Sequence, residues 1–167
     1  MLDGTTRLLN AIVDLPAPAR TRPCRDFLGC SVSICRQTSR LGVVEISAPP
    51  ATALPTHVRH FDELLVVLSG TIAVTRPDGR YVIGPNEPMF LGAGVRCSWT
   101  ALERVTLRHS YFPGGFEEFF LRNGTCPTER ATRIQAPVPG NPDRALRPYR
   151  ESLRDHGLDL LDVSSSQ

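Results

Sequence analysis

From Phe27 to about Pro113 the chain is built of short apolar runs separated by turn formers. FLGCSVSICR, LGVVEIS, LLVVLSGTIAV, YVIG, PMFLG and RVTLRHSYF carry the β-branched and aromatic residues that suit strands. Between them stand Ala48-Pro49-Pro50, Pro77-Asp78-Gly79, Gly84-Pro85-Asn86 and Gly92-Ala93-Gly94. Many short strands at turn spacing, with no helical pattern between them, predict an all-β barrel or sandwich.

On either side the texture changes. Residues 1–26 read as a lead-in ending in the Pro/Arg-rich PAPARTRP, and residues 114–167 as a C-terminal helical extension. Gly114 to Gly124 predicts a short helix with Phe116, Phe119 and Phe120 on one apolar stripe, a pattern that serves packing. After a Pro-rich connector, Asn141 as N-cap, Pro142 at the first helical position and Gly157 at the end predict a second helix over about 142–156.

Composition narrows the class without naming a function. At 167 residues, 41% hydrophobic and 22% charged, the chain has the balance of one globular domain. Its net charge of +2 is spread along the chain, so nucleic acid is not an expected partner. No signal-peptide core and no membrane-length apolar run are found, so a cytoplasmic protein without a membrane partner is expected. Five cysteines (Cys24, Cys30, Cys35, Cys97 and Cys126) lack zinc-type pairing and read mostly as free thiols.

The chemistry-bearing residues follow an order. HVRHFDELLVVLSG, from His57 to Gly70, has a His, then Glu63, then a Gly. GPNEPMFLGAGVRCSW begins at Gly84, turns at Gly92-Ala93-Gly94 and reaches Cys97. These two stretches resemble the paired motifs of the cupin superfamily, and PGGFEEFFLRNG with APVPGNPDRALRPYRESLRDHGLDLL resembles the tail of small cupins related to quercetin dioxygenases. The resemblance covers about residues 27–161. It implies a double-stranded β-helix (jelly-roll) barrel with short C-terminal helices, a barrel over residues 27–113, and pairing of two copies into a homodimer.

The resemblance also implies a metal site, which this sequence alters. The four ligand positions fall on His57, Arg59, Glu63 and Cys97, where the family has His, His, Glu and His. Residues two apart share a strand face, so His57 and position 59 point inward together, Glu63 is expected on the partner strand, and position 97 on the opposite hairpin. Glycines at 70, 84 and 94 are expected to make the turns. A guanidinium has no lone pair to give and keeps its charge. Two arrangements follow. Arg59 pairs with Glu63 and no metal binds, leaving His57 and Cys97 for acid–base, nucleophilic or contact roles; or Arg59 swings out and His57, Glu63 and Cys97 hold a metal such as iron. The first is preferred on charge.

Further candidates are His109 and Tyr111, which alternate on RVTLRHSYF and supply a base and a phenol if they face inward. Trp99 shares the face of Cys97 and reads as a pocket wall or as core packing, with Leu65, Val67 and Phe90 as further expected substrate contacts. His60 and His156 read as surface residues. The resulting expectation is a small-molecule enzyme of secondary metabolism: a metal-independent cyclase or isomerase, with no cofactor, acting on an apolar or polyketide-like substrate. A quercetin-type, metal-dependent dioxygenase and a non-catalytic ligand-binding cupin are the alternatives.

Overall fold

The computed structural model describes residues 22–127 and 141–162. Ten strands run from Cys24 to Phe112: β1 (Cys24–Phe27), β2 (Cys30–Gln37), β3 (Gly42–Ala48), β4 (Ala53–Arg59), β5 (Asp62–Ser69), β6 (Ile72–Arg76), β7 (Gly79–Ile83), β8 (Pro88–Leu91), β9 (Cys97–Ala101) and β10 (Val105–Phe112). Helix α1 (Glu117–Asn123) follows, then α2 (Pro142–Leu146), a 3₁₀ turn (Arg147–Tyr149), α3 (Arg150–Asp155) and β11 (Leu158–Leu160). The strands form a six-stranded sheet in the order β1-β2-β3-β10-β5-β8 and a five-stranded sheet in the order β11-β4-β9-β6-β7, with antiparallel pairing in both.

Period-two alternation places the core between the sheets. On β2, Cys30, Val32 and Ile34 are buried while Ser31, Ser33 and Cys35 face away. On β9, Cys97, Trp99 and Ala101 are buried in the same alternation. Strand β5 sits between β10 and β8 and is buried on both faces, which explains its unbroken run Leu64 to Val67.

Several boundaries differ from the sequence reading. The run FLGCSVSICR is a hairpin rather than one strand: Leu28 and Gly29 both take positive φ (47° and 81°), the requirement of a tight two-residue turn. Its first strand begins at Cys24, inside the stretch read as lead-in. LLVVLSGTIAV divides at Gly70, whose φ is +77°; an added Cβ there would lie 2.3 Å from the Arg104 carbonyl oxygen. Gly94 also has positive φ, whereas at the Gly84 turn the left-handed residue is Asn86. The second helix is interrupted at Pro148, and the chain after Gly157 returns as β11, a strand the pattern did not reveal.

Two of these features position the site. His60 and Phe61 form a corner that carries the chain from β4 in one sheet to β5 in the other. The β4–β9 register slips between Leu54 and His57, a bulge that contains Pro55. The turn at Gly92–Gly94 docks on the corner through Gly94 N–H to the Arg59 carbonyl and Ala93 N–H to Asp62 Oδ1, both 2.8 Å. Among the described residues no helix is long and apolar enough to cross a membrane.

Candidate functional site

The four residues of the altered ligand pattern converge inside the barrel, each 2% exposed or less. His57 and Cys97 are direct cross-strand partners on β4 and β9. Glu63 comes from the opposite sheet, so the expected arrangement is reversed: Cys97 is the neighbour and Glu63 reaches across.

Arg59 lies at the centre. Its Nε donates to Glu63 Oε2 at 2.5 Å and its Nη1 donates to Cys97 Sγ at 3.0 Å. The guanidinium is thus divided between carboxylate and thiol. The second carboxylate oxygen, Oε1, accepts from His109 Nδ1 at 2.5 Å. Behind the arginine, His57 Nδ1–H donates to the Pro55 carbonyl exposed by the bulge, at 2.7 Å, which fixes the tautomer and turns the Nε2 lone pair toward Cys97 Sγ, 3.5 Å away.

Protonation follows from this packing. Burial, reinforced by the Arg59 cation, pushes His57 down to about 3, so its ring is neutral near neutral pH. Burial alone would raise Glu63, but Arg59 and then His109 outweigh it and hold the carboxyl at about 2. Burial raises the Cys97 thiol, with Arg59 opposing, so sulfur keeps its proton and donates it to His57. Burial, then the Glu63 charge, puts Tyr111 well above its ordinary value and keeps it a phenol.

A cavity of about 180 Å³ opens beside this network. Its polar end is formed by Arg59, Glu63, Trp99, His109 and Tyr111. Apolar walls come from Phe27, Leu28, Phe61, the Pro49–Leu54 segment, the aromatic stripe of α1, and Leu146 and Leu153 of the C-terminal helices. Tyr111 stacks on His109 (centroids 6.1 Å apart, planes at 29°) and meets Phe61 and Phe116 edge-on. His109 Nε2 and Trp99 Nε1 are buried without a hydrogen-bond partner among the described residues.

The site residues read from sequence therefore separate. His109, Tyr111, Trp99, Arg59 and Glu63 do line the cavity. His57 and Cys97 do not: they sit behind Arg59, bonded to each other, rather than free for acid–base or nucleophilic work. Leu65 and Val67 fill the core away from the cavity, on the same strand face as Glu63. Phe90 is 58% exposed, because it pairs with Leu64 and so shares the outer face of β5. His60 is exposed and bonds Asp159, while His156 is half-buried against Phe119. The α1 aromatics, read as packing, are also cavity wall. Their period marks an apolar face but not what it faces.

The donor set does not fit the divalent metal that the family resemblance implies. Among the described residues no three His, Cys, Asp or Glu side chains are arranged to hold a metal ion. The Arg59 cation bridges two of the ligand positions, Glu63 and Cys97, and the His57 lone pair is engaged by the thiol. The arrangement with Arg59 swung outward is not the one found.

No protein-family model and no curated protein matches the chain. Solved structures do match in fold. KdgF from Halomonas sp. superposes with a TM-score of 0.54 at 16% identity, over 57% of this chain and 92% of that one. An RmlC-like cupin from Shewanella frigidimarina gives 0.55 at 14%, over 59% and 89%. The Cnp3 cupin domain of Schizosaccharomyces pombe gives 0.50 at 13%, over 65% and 80%. These likenesses establish the double-stranded β-helix architecture.

Proposed function

We propose that this chain, a cupin by fold, is a metal-independent enzyme that isomerises or cyclises a largely apolar small molecule in its barrel by proton transfer. One observation carries the reading: the Glu63–His109 contact. The carboxylate accepts from Nδ1–H and leaves the unpartnered Nε2 of this cavity-lining residue to serve as the base. Proton uptake makes an imidazolium whose charge lies 2.5 Å from an ionised carboxylate, an arrangement that steadies it. Arg59 keeps that carboxylate ionised and oriented; Tyr111 supplies a phenolic donor. His57 and Cys97 are positioning residues, acting through Arg59.

Confinement adds to the chemistry. A flexible substrate folded against the Phe116, Phe119 and Phe120 rings gives up conformational freedom before the proton moves, which lowers the barrier. The polyketide-like substrates of the family resemblance suit such walls, being hydrocarbon frames that carry carbonyl groups.

The test is turnover with chelator present. Purified protein is incubated with a panel of linear and cyclic polyketones in EDTA, and products are read by mass spectrometry. A product of unchanged mass, or of mass less one water, is expected, with a loss of about 10²-fold or more in His109→Gln. Activity that needs added iron and consumes oxygen would establish the dioxygenase alternative instead.

A further inference from the structure

The polar end of the cavity combines two unpartnered atoms with a balanced set of charges. Arg59 is offset by Glu63, and His57 is neutral, so the polar end formed by Arg59, Glu63 and the rings around them carries no surplus positive charge for an anionic ligand. A carboxylate entering here would leave water without a free cation to meet it. Beside the Tyr111 hydroxyl, the lining residues carry one unpartnered buried donor and one unpartnered buried acceptor, on adjacent rings.

The donor is Trp99 Nε1–H. Indole can only donate, and this N–H is buried with no acceptor among the described residues, on a side chain 6% exposed. The acceptor is His109 Nε2, likewise unpartnered, on a side chain whose residue is 4% exposed. The two ring centroids are 6.3 Å apart with planes at 43°. Buried polar atoms of this kind find partners, and here both belong to residues that line one cavity. Apart from Arg59, Glu63, Tyr111, Thr52 and Cys30, the rest of its wall is apolar.

We infer that the site takes a neutral, mostly hydrocarbon ketone, its carbonyl oxygen accepting from Trp99 Nε1–H while the carbon beside the carbonyl faces His109 Nε2. The catalytic half of this assignment rests on the function proposed above; the binding half rests on the two unpartnered atoms. The chemistry balances without a further reagent. His109 Nε2 takes the α-proton, the C–H electron pair becomes the carbon–carbon double bond of an enolate, and the negative charge moves to the oxygen held by Trp99. Where a carbon–carbon double bond adjoins the enolate, return of the proton from His109 to its far carbon completes isomerisation. Attack of the enolate carbon on a second carbonyl opens that C=O π bond to an alkoxide, which takes the proton back from His109, and completes ring closure.

Trp99 is the only tryptophan in the chain, so its single indole N–H resonance reports the contact directly. Full-length protein is titrated with 4-methylcyclohexanone, methylcyclohexane and 4-methylcyclohexanecarboxylate, by calorimetry and by ¹H–¹⁵N NMR. The ketone is expected to bind about tenfold more tightly than the hydrocarbon and to move the indole N–H downfield, with Trp99→Phe erasing the preference. A carboxylate that binds as tightly as the ketone, or an indole resonance that the ketone leaves in place, would overturn the assignment; the resonance needs no variant to fold. Exchange of the ketone's α-protons in D₂O separates the two readings. Ketone preference without exchange upholds the ligand class and removes the catalytic role of His109. Exchange abolished by His109→Gln, with no ketone preference, upholds the base and overturns the ligand class.

Discussion

The Nη1 of Arg59 donates to Cys97 Sγ across 3.0 Å, joining two positions at which the cupin pattern has histidine. The two departures are therefore one change. A cation at position 59 would repel a metal, and a neutral thiol at position 97 accepts from that cation, as a protonated imidazole could not.

Restoring both positions should therefore create what restoring one does not. Arg59→His/Cys97→His is expected to bind one Ni²⁺ or Fe²⁺ per chain, measured by calorimetry and elemental analysis, through four ligands of the family pattern. Cys97→His alone retains the guanidinium and should bind at least about 10²-fold more weakly. Equal affinity in the single and double variants would show that Arg59 does not oppose a metal.

The buried ion pair makes an asymmetric prediction for stability. Arg59→Met leaves Glu63 ionised and buried with His109 alone, and is expected to cost about 3–5 kcal/mol in urea unfolding. Arg59→Met/Glu63→Gln removes the stranded charge and should recover at least half of that loss. Because Arg59 is structural in this way, an alanine at position 59 lowers stability and turnover together. The comparison that isolates chemistry is therefore His109→Gln, whose expected stability loss is smaller.

Acid should unfold the protein in two stages. His57 has its ordinary value of 6.5 when unfolded and about 3 when folded, so the unfolded chain binds the extra proton and stability falls as pH drops from about 6.5 toward 3. Glu63 falls from 4.5 to about 2 on folding, so its contribution is complete above about 4.5 and is lost as pH drops toward 2. Midpoints of urea unfolding measured from pH 8 to pH 3 should decline through both windows. In His57→Gln the decline between pH 6.5 and 4.5 should flatten while the lower stage persists.

Gly42 tests the support of α1. A Cβ there would come within 1.9 Å of Glu117 Oε2, and that carboxylate is buried and accepts from Gly115 N–H at 2.9 Å. Gly42→Ala must displace it, at an expected cost of about 1–3 kcal/mol in thermal or urea unfolding. An unchanged midpoint would mean that Glu117 has room to move and does not fasten the helix.

Much of the barrel was legible because alternation and turn residues act locally. His57, Arg59, Glu63 and Cys97 could be placed in one interior from strand periodicity and motif order. The period of β10 puts His109 and Tyr111 on one face without saying which face is inward, since Arg108 and Ser110 on the other face are buried too. What was not legible depends on tertiary register. The bulge at Pro55, which frees a carbonyl for His57, leaves no mark in composition. That Cys97 is the strand neighbour of His57 follows from sheet order, which periodicity does not encode. Leu65 and Val67 share a face with Glu63, yet depth along the barrel separates cavity wall from packed core. Phe90 fell on the wrong face because β8 is only four residues long, too short for its alternation to declare an inside.

The corner at His60-Phe61 has a kinetic consequence. Arg59 and Glu63 are four residues apart, yet they join opposite sheets. Most contacts between the halves of such a barrel close long loops and are entropically expensive to form early. This one closes a loop of four. The first bridge between the two sheets can therefore assemble almost as cheaply as a hairpin, and the sheets grow outward from a pair already at its final spacing. The residues that keep the binding chamber electrically balanced are, on this reasoning, also among the earliest to meet as the chain folds.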